Sequence, residues 1–216
     1  MLPHLFLTLA AAAVSVGSLH SLAPDHWVPF TALARAQGWS ASRTAGVTFL
    51  CGFGHVTVSA LLGLAALLLG RGLLLALGQR MEALAGLLLA GFGLIYGVWG
   101  LRRVTGRKLH GHPHSHYDHV HDPSRATALS LFLLFSADPC VAVIPLLFAA
   151  APLGAGPCAA IVVLYEAATI GTMVLLVLPA RAGAVRLRLA WLDHWGDVVA
   201  GGIITATGLA VTALGI

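Results

Sequence analysis

Charged residues are scarce in this chain: Asp, Glu, Lys and Arg together make up only 9% of its 216 residues. Soluble domains carry roughly 25% charged residues. Hydrophobic residues instead reach 58%, and the mean hydropathy is +0.90. This balance excludes a soluble globular enzyme and a disordered tail. The few charges give a net charge of +4 and lie in short loops, so they do not form the basic surface of a nucleic-acid binder.

Cysteine is also rare, because the chain holds only Cys51, Cys140 and Cys158. All three lie in apolar runs, and they provide neither a disulfide framework nor a paired cysteine knuckle for a metal. Histidine, in contrast, occurs eleven times. So many imidazoles in so apolar a chain are the feature that most needs a functional explanation.

Six apolar runs approach the roughly 20 residues that a helix needs to cross a bilayer. The sequence therefore predicts an all-α polytopic membrane protein with about six transmembrane helices. We divide it into a first three-helix half (1–104), a His-rich loop (105–126) and a second three-helix half (127–216). The six runs lie at about 3–23, 46–70, 82–101, 127–151, 157–179 and 197–216.

Basic residues predict the orientation of these runs. The loops after the first, third and fifth runs contain ten of the twelve Lys and Arg residues, whereas the opposite side holds only Arg71 and Arg80. Cytoplasmic loops carry the excess of Lys and Arg in membrane proteins. We therefore predict a protein of the cell (inner) membrane with a cytoplasmic His-rich loop and both termini outside.

Two proline-containing segments, 21–30 and 136–146, resemble each other. Each has a small polar residue, then prolines beside a ligand-type residue, then an apolar continuation. Proline interrupts helical hydrogen bonding, so both segments predict broken helices. Since the repeat has a period of three runs, an odd number, the two halves would have opposite orientations and form a 3+3 inverted repeat. Transporters built in this way bind their substrate near the membrane midplane.

The first of these segments contains the strongest local motif, His20-Ser-Leu-Ala-Pro24-Asp25-His26. A helix break at Pro24 would turn His20, Asp25 and His26 toward one point. Nitrogen ligands combined with a carboxylate suit divalent ions such as Ni²⁺, Co²⁺, Zn²⁺ and Fe²⁺. The alternative interpretation is a capped helix end, with Asp25 as the cap and the histidines at the membrane interface.

His55 in the second run is a further candidate ligand, because Cys51, His55 and Ser59 share one helical face. Alone, however, it would be an ordinary core histidine. The second half contributes the acids Asp138 and Glu166, which no Lys or Arg in their runs can pair. A charged side chain at the bilayer centre costs roughly 2.5–3.5 kcal/mol.

A metal ion or a proton is therefore the expected partner of these two acids, and a hydrogen-bonded structural carboxyl is the alternative. Cys140, beside Pro139, is either a metal ligand or a common buried cysteine.

The central loop has alternating histidines, which cannot build a core but can bind transition metals through neutral imidazole. We predict a secondary cytoplasmic site there for metal capture, and an accidental tag-like tract is the alternative. The histidines are His110, His112, His114, His116, His119 and His121.

The His20-x-x-x-x-Asp25-His26 motif resembles the signature of the nickel/cobalt transporters, and the segment from Gly52 to Val58 around His55 resembles that family's second histidine-bearing helix. Six runs with a histidine-rich loop resemble its shorter branch, which includes nickel/cobalt efflux proteins and urease-associated permeases. The resemblance implies that His20, Asp25, His26 and His55 select the metal. The larger family members have eight spans.

The expected activity is transport of Ni²⁺ or Co²⁺ by alternating access, with Zn²⁺, Fe²⁺ and Mn²⁺ as further possible substrates. Uptake is favoured over export. The expected partners are the lipid bilayer, the metal ion and a possible cytoplasmic metallochaperone. A metal-binding sensor or accessory protein is the main alternative. A thiol electron carrier would need a second membrane cysteine, and a membrane zinc enzyme would be expected to carry a run such as His-Glu-x-x-His.

Overall fold

A computed structural model describes residues 2–69, 71–106, 123–138, 140, 142–186 and 190–214. The structure is 93% helical, and the described residues form no strand, which confirms the all-α prediction for this part of the chain. The six loop histidines lie outside the described residues, and so does Pro139.

The described residues form eight α-helices and one short 3₁₀ turn, Ala151–Leu153. The helices are α1 (Leu2–His20), α2 (Pro24–Ala36), α3 (Ala41–Leu69), α4 (Arg71–Gly106), α5 (Pro123–Ala137), α6 (Val143–Ala150), α7 (Ala155–Arg186) and α8 (Ala190–Leu214).

Four of these helices, α3, α4, α7 and α8, each contain a stretch that is long and apolar enough to cross a membrane. The pair α1 and α2 qualifies as a fifth crossing when it is counted as one span bent by 50°. The fourth predicted run, 127–151, is divided between α5 and the shorter α6, and neither reaches that length. The described helices therefore provide four or five candidate spans, and their composition is compatible with a lipid bilayer.

Both proline-containing segments coincide with helix breaks. Helix α1 ends at His20 and α2 begins at Pro24, a position where proline is tolerated because the first helical N–H groups have no intrahelical acceptor. The intervening turn is closed by a 3.1 Å hydrogen bond from the Ala23 N–H to the His20 carbonyl. In the second segment, α5 ends at Ala137 and α6 begins at Val143.

Helices of the two predicted halves pack mainly against each other. The most extensive contact joins α4 to α8, while α3 lies against α5 and α7, and α1 lies against α7. Glycines allow the α4–α8 pair to approach closely: a Cβ added to Gly201 would collide with the backbone N and Cα of Gly97. The buried interior is therefore built largely between the segments 1–104 and 127–216.

Two clusters of buried apolar residues make up this interior. The Phe30 cluster includes Phe30, Leu131, Phe135 and Tyr96, and it draws on α2, α3, α4, α5, α7 and α8. The Tyr165 cluster includes Tyr165 and Val143, and it draws on α1, α3, α6, α7 and the residue Cys140. Along α3, Cys51 belongs to the Phe30 cluster and Val56 to the Tyr165 cluster, so the residues between them lie at the junction of the two clusters.

Candidate metal centre

Three imidazole rings meet at the break between α1 and α2. His20 is the last residue of α1, His26 lies in the first turn of α2, and His55 lies on α3. The ring centroids of His20 and His26 are 4.3 Å apart, those of His26 and His55 are 5.2 Å apart, and those of His20 and His55 are 5.9 Å apart. His26 and His55 are only 2% and 1% exposed. The break therefore brings together the histidines that the motif predicted, along with the candidate from the next helix.

The Nδ1 atoms of two of these rings have defined partners. His26 Nδ1 lies 2.9 Å from Asp25 Oδ1, and His55 Nδ1 lies 3.2 Å from the carbonyl oxygen of Phe135. A carbonyl or carboxylate oxygen only accepts, so Nδ1 is the donor in both pairs. In a neutral imidazole the other nitrogen, Nε2, then carries a lone pair that can bind a metal.

The Nε2 atoms of His20, His26 and His55 are all buried and have no hydrogen-bond partner among the described residues. A buried polar atom without a partner costs about 1–3 kcal/mol, so three in one place are unusual in a folded protein. A cation bound among these rings would accept the lone pairs of the Nε2 atoms that face it. This pattern favours a ligand site over the alternative of a capped helix end.

Cys140 joins this group from the second helix break. One ligand atom each from His20, His55 and Cys140 lie within 4.8 Å of one another. The Cys140 N–H donates a 2.6 Å hydrogen bond to Ser59 Oγ, and Ser59 Oγ donates a 2.6 Å bond to the His55 carbonyl. The segment between α5 and α6 is thereby bound to α3 at Ser59, one helical turn after His55. Cys51, His55 and Ser59 are all buried, as their shared helical face predicts.

The acids take other positions. Asp25 Oδ1 contacts His26 Nδ1 and so orients that ring. Asp25 and Asp138 line one small cavity of about 20 Å³, which has room for about one water molecule. Within the described residues, neither of them belongs to the group of three ligand atoms, and Glu166 does not either.

Glu166 lies on α7, where its side chain interacts with Thr57 of α3. Its Oε1 atom is buried and lacks a hydrogen-bond partner among the residues the structure describes. The predicted ligand set is therefore divided. His20, His55 and Cys140 form one group, His26 lies beside it with Asp25 on its Nδ1, Asp138 lines the small cavity with Asp25, and Glu166 lies at the contact between α3 and α7.

Sequence reasoning did not find Tyr165, whose hydroxyl lies 2.8 Å from Cys140 Sγ. Tyr165 is fully buried on α7 and lies in the Tyr165 cluster of apolar residues. A phenol inside an apolar helix needs a hydrogen-bond partner, and this requirement is the one indication that the sequence offered. Nothing in the sequence pairs Tyr165 with Cys140.

No family model, curated protein or solved structure matches this chain. Two or three neutral imidazoles with a thiol form a donor set that suits Zn²⁺, Co²⁺, Ni²⁺ and copper, whereas Mg²⁺ and Ca²⁺ prefer oxygen ligands.

Proposed function

We propose that the protein carries a divalent transition-metal ion across a membrane, with Ni²⁺ or Co²⁺ as the first candidates. The observation that carries this proposal is the meeting of three imidazole rings at a helix break, with buried Nε2 atoms that have no hydrogen-bond partner among the described residues. Neutral imidazole is a common ligand for these ions. The nickel/cobalt transporter resemblance of the His20 motif points to the same substrates.

The location of the group favours transport over a purely structural metal site. Broken helices commonly bind the substrate in transporters built from repeats, because the break frees backbone groups and lets the two ends move. Here the histidines lie where the Phe30 and Tyr165 clusters meet. Opening one cluster while the other stays closed would expose the ion to one side of the membrane at a time.

We further propose that α5 and α6 form a broken sixth crossing, equivalent to α1 and α2 in an inverted repeat. The packing supports this equivalence. The pair α1 and α2 lies against α7, whereas α5 and α6 lie against α3, and α4 lies against α8. An exchange of the two halves maps these contacts onto one another, but the extensive contact of α2 with α8 has only a slight counterpart between α5 and α4.

The three acids would contribute negative charge near the path of the ion. Asp25 orients His26 through Nδ1, in the manner of the carboxylates that support metal-bound histidines. Asp138 and Glu166 would offset part of the cost of bringing a divalent cation into the bilayer. Glu166 or Asp138 would also bind and release the proton in a proton-coupled cycle.

In the proposed topology both termini face outward, and the loop histidines face the cytoplasm of the cell. That loop would capture or buffer metal beside the membrane site and exchange it with a metallochaperone. Uptake remains the favoured direction.

The test is metal flux into proteoliposomes that contain only this protein, with Ni²⁺, Co²⁺, Zn²⁺, Mn²⁺ and Fe²⁺ offered in turn. The variants are His20→Ala, deletion of 110–121, and His4→Ala as a matched control, because His4 is an exposed histidine on the same helix. We expect flux of Ni²⁺ or Co²⁺ that disappears in His20→Ala and persists in the other two.

Two other outcomes decide against the proposal. Metal binding without flux of any ion would assign the protein to sensors or accessory subunits. Flux that survives His20→Ala would place the pathway away from the His20, His26 and His55 group. Proton coupling is tested by repeating the assay with Glu166→Gln and with an imposed pH gradient. Coupling to protons is rejected if neither change alters the metal flux.

A further inference from the structure

We infer that Cys140 binds the transported ion as a thiolate and that Tyr165 holds this sulfur in place, so that the site discriminates by ligand softness. This inference rests on the proposed function and makes it more specific. A site of imidazole and carboxylate would accept Mn²⁺ and Fe²⁺ readily. A site that includes thiolate favours Ni²⁺, Co²⁺, Zn²⁺ and copper over hard ions.

The first support is distance. The ligand atoms of His20, His55 and Cys140 lie within 4.8 Å of one another, although the three residues come from three separate segments of the chain. Metal–nitrogen and metal–sulfur bonds of about 2.0–2.3 Å place two ligands of one ion about 3.5 Å apart in a tetrahedral site. Small side-chain rotations therefore suffice to close the group around one ion.

The second support is independent of the cysteine. His55 Nε2 belongs to a side chain that is only 1% exposed, and it has no hydrogen-bond partner in the described part of the chain. His20 Nε2 is buried and unpartnered as well. These two atoms need a ligand whether or not the sulfur takes part, and Cys140 Sγ is the third ligand atom of the group that His20 and His55 form.

The third support is the way in which Cys140 is held. Its backbone N–H is bound to Ser59 of α3, and its Sγ lies 2.8 Å from the hydroxyl of Tyr165 on α7. Cys140 is thus held between two helices that belong to different halves, its backbone by α3 and its sulfur by α7. Tyr165 is fully buried, so its hydroxyl cannot turn to water instead.

Binding of the ion by Cys140 needs no reactant besides the ion and the thiol. When the ion binds, the Cys140 S–H bond breaks, a sulfur–metal bond forms, and the proton leaves to water. The Tyr165 hydroxyl then donates to the thiolate, and a hydrogen bond to a charged acceptor is stronger than one to a neutral thiol. Tyr165 is a positioning residue, since it acts through the sulfur.

The experiment is an optical titration of the purified full-length protein in detergent with Co²⁺. A thiolate bound to Co²⁺ gives a sulfur-to-metal charge-transfer band in the near ultraviolet. The histidine-rich loop cannot contribute to this band, because the three cysteines lie at positions 51, 140 and 158. The variants are Cys140→Ser and Tyr165→Phe, with Cys158→Ser and Cys51→Ser as matched controls outside the ligand group.

We expect the band in the wild-type protein and in both controls, and its loss in Cys140→Ser. Tyr165→Phe should keep the band but shift its position and weaken Co²⁺ binding about 10-fold to 100-fold, as the loss of a supporting group around a metal ligand does. A purely structural role of Tyr165 would leave the band position unchanged. Gel filtration of each variant shows whether it folds.

The inference is overturned if Co²⁺ binds the wild-type protein without the band, or if the band survives in Cys140→Ser. The proposed transport function fails separately, when the band is present but proteoliposomes take up no metal. In flux assays, Cys140→Ser should also narrow the preference for Ni²⁺ and Co²⁺ over Mn²⁺, and an unchanged preference would count against a thiolate ligand.

Discussion

The Tyr96 hydroxyl donates a 2.7 Å hydrogen bond to Asp197 Oδ1 and so joins α4 to α8. The same hydroxyl accepts a 3.0 Å bond from Gln37 Nε2, which also donates to Thr127 Oγ1 at 2.9 Å. Arg103 completes this Tyr96 network, with Nη1 3.3 Å from Asp197 Oδ2. The network ties α4, α5, α8 and the residue after α2 together at one end of the bundle, where the predicted topology places the cytoplasm.

Under the proposed alternating-access function, we predict that the Tyr96 network breaks when the cytoplasmic end of the bundle opens. We expect Tyr96→Phe to lower the thermal unfolding midpoint in detergent, because a hydrogen bond to a charged group contributes about 1.5–3 kcal/mol. Co²⁺ affinity should be unchanged, because Tyr96 is not in the ligand group, whereas the flux rate should change. Thr207→Val is the control, because Thr207 is a partly buried threonine on α8 whose hydroxyl bonds only to the Ile203 carbonyl of the same helix. A flux rate equal to that of the wild type would show that opening of the Tyr96 network does not limit transport.

His55 should be as important for metal binding as His20, although it lies outside the first motif. We expect His55→Ala to remove the membrane site, which is measured by isothermal titration with Ni²⁺ in a background that lacks residues 110–121. His4→Ala should bind Ni²⁺ like that parent protein, since His4 is exposed. Retained binding in His55→Ala would mean that the buried Nε2 atom has no role as a ligand.

Asp25 should act through His26. In Asp25→Asn the amide can donate to Nδ1, which moves the imidazole proton to Nε2 and blocks that ligand atom. We expect Ni²⁺ affinity to fall about 10-fold to 100-fold, as for other groups that orient a metal-bound histidine. A double-mutant cycle checks the route: in a His26→Ala background, Asp25→Asn should have little further effect. Additive losses would indicate that Asp25 binds the ion directly.

Gly201 and Gly202 are neighbours on α8, but we expect alanine substitutions at the two positions to have opposite effects on stability. A Cβ at Gly201 would collide with the backbone of Gly97 on α4, whereas a Cβ at Gly202 meets nothing within 4 Å. Both changes to Ala gain about 1 kcal/mol of helix propensity, so their difference isolates packing. We expect Gly201→Ala to lower the unfolding midpoint through an overpacking cost of about 1–3 kcal/mol, and Gly202→Ala to leave it equal or higher. Equal behaviour would contradict the close α4–α8 contact.

The fold class and both helix breaks could be predicted from the sequence, because apolar runs and prolines act locally. Pro24 indicates the start of α2 without any knowledge of the rest of the chain. The site was predictable only in part. The His20 and His26 side chains are close in the chain, so their meeting follows from the break between them.

The contacts of Cys140 with Ser59 and Tyr165 could not be predicted in this way, because they join residues 81 and 25 positions apart in the chain. Such contacts depend on which helices become neighbours, and that choice is made by packing across the whole bundle. The fourth run, 127–151, illustrates the same limit. Its prolines predict the break between α5 and α6, but its hydropathy predicts a run long enough to cross the membrane, whereas neither helix reaches that length alone.

The packing of α4 against α8 and of α3 against α5 and α7 has a consequence for biosynthesis. While the ribosome is still translating the second half, α3 and α4 enter the membrane without their main neighbours. Their buried polar side chains, His55 and Ser59 among them, then face lipid or the insertion machinery. The proposed ligands are complete only once Cys140 has followed α5, and a nascent chain that stops before α7 still lacks Tyr165, the residue proposed to hold the Cys140 sulfur.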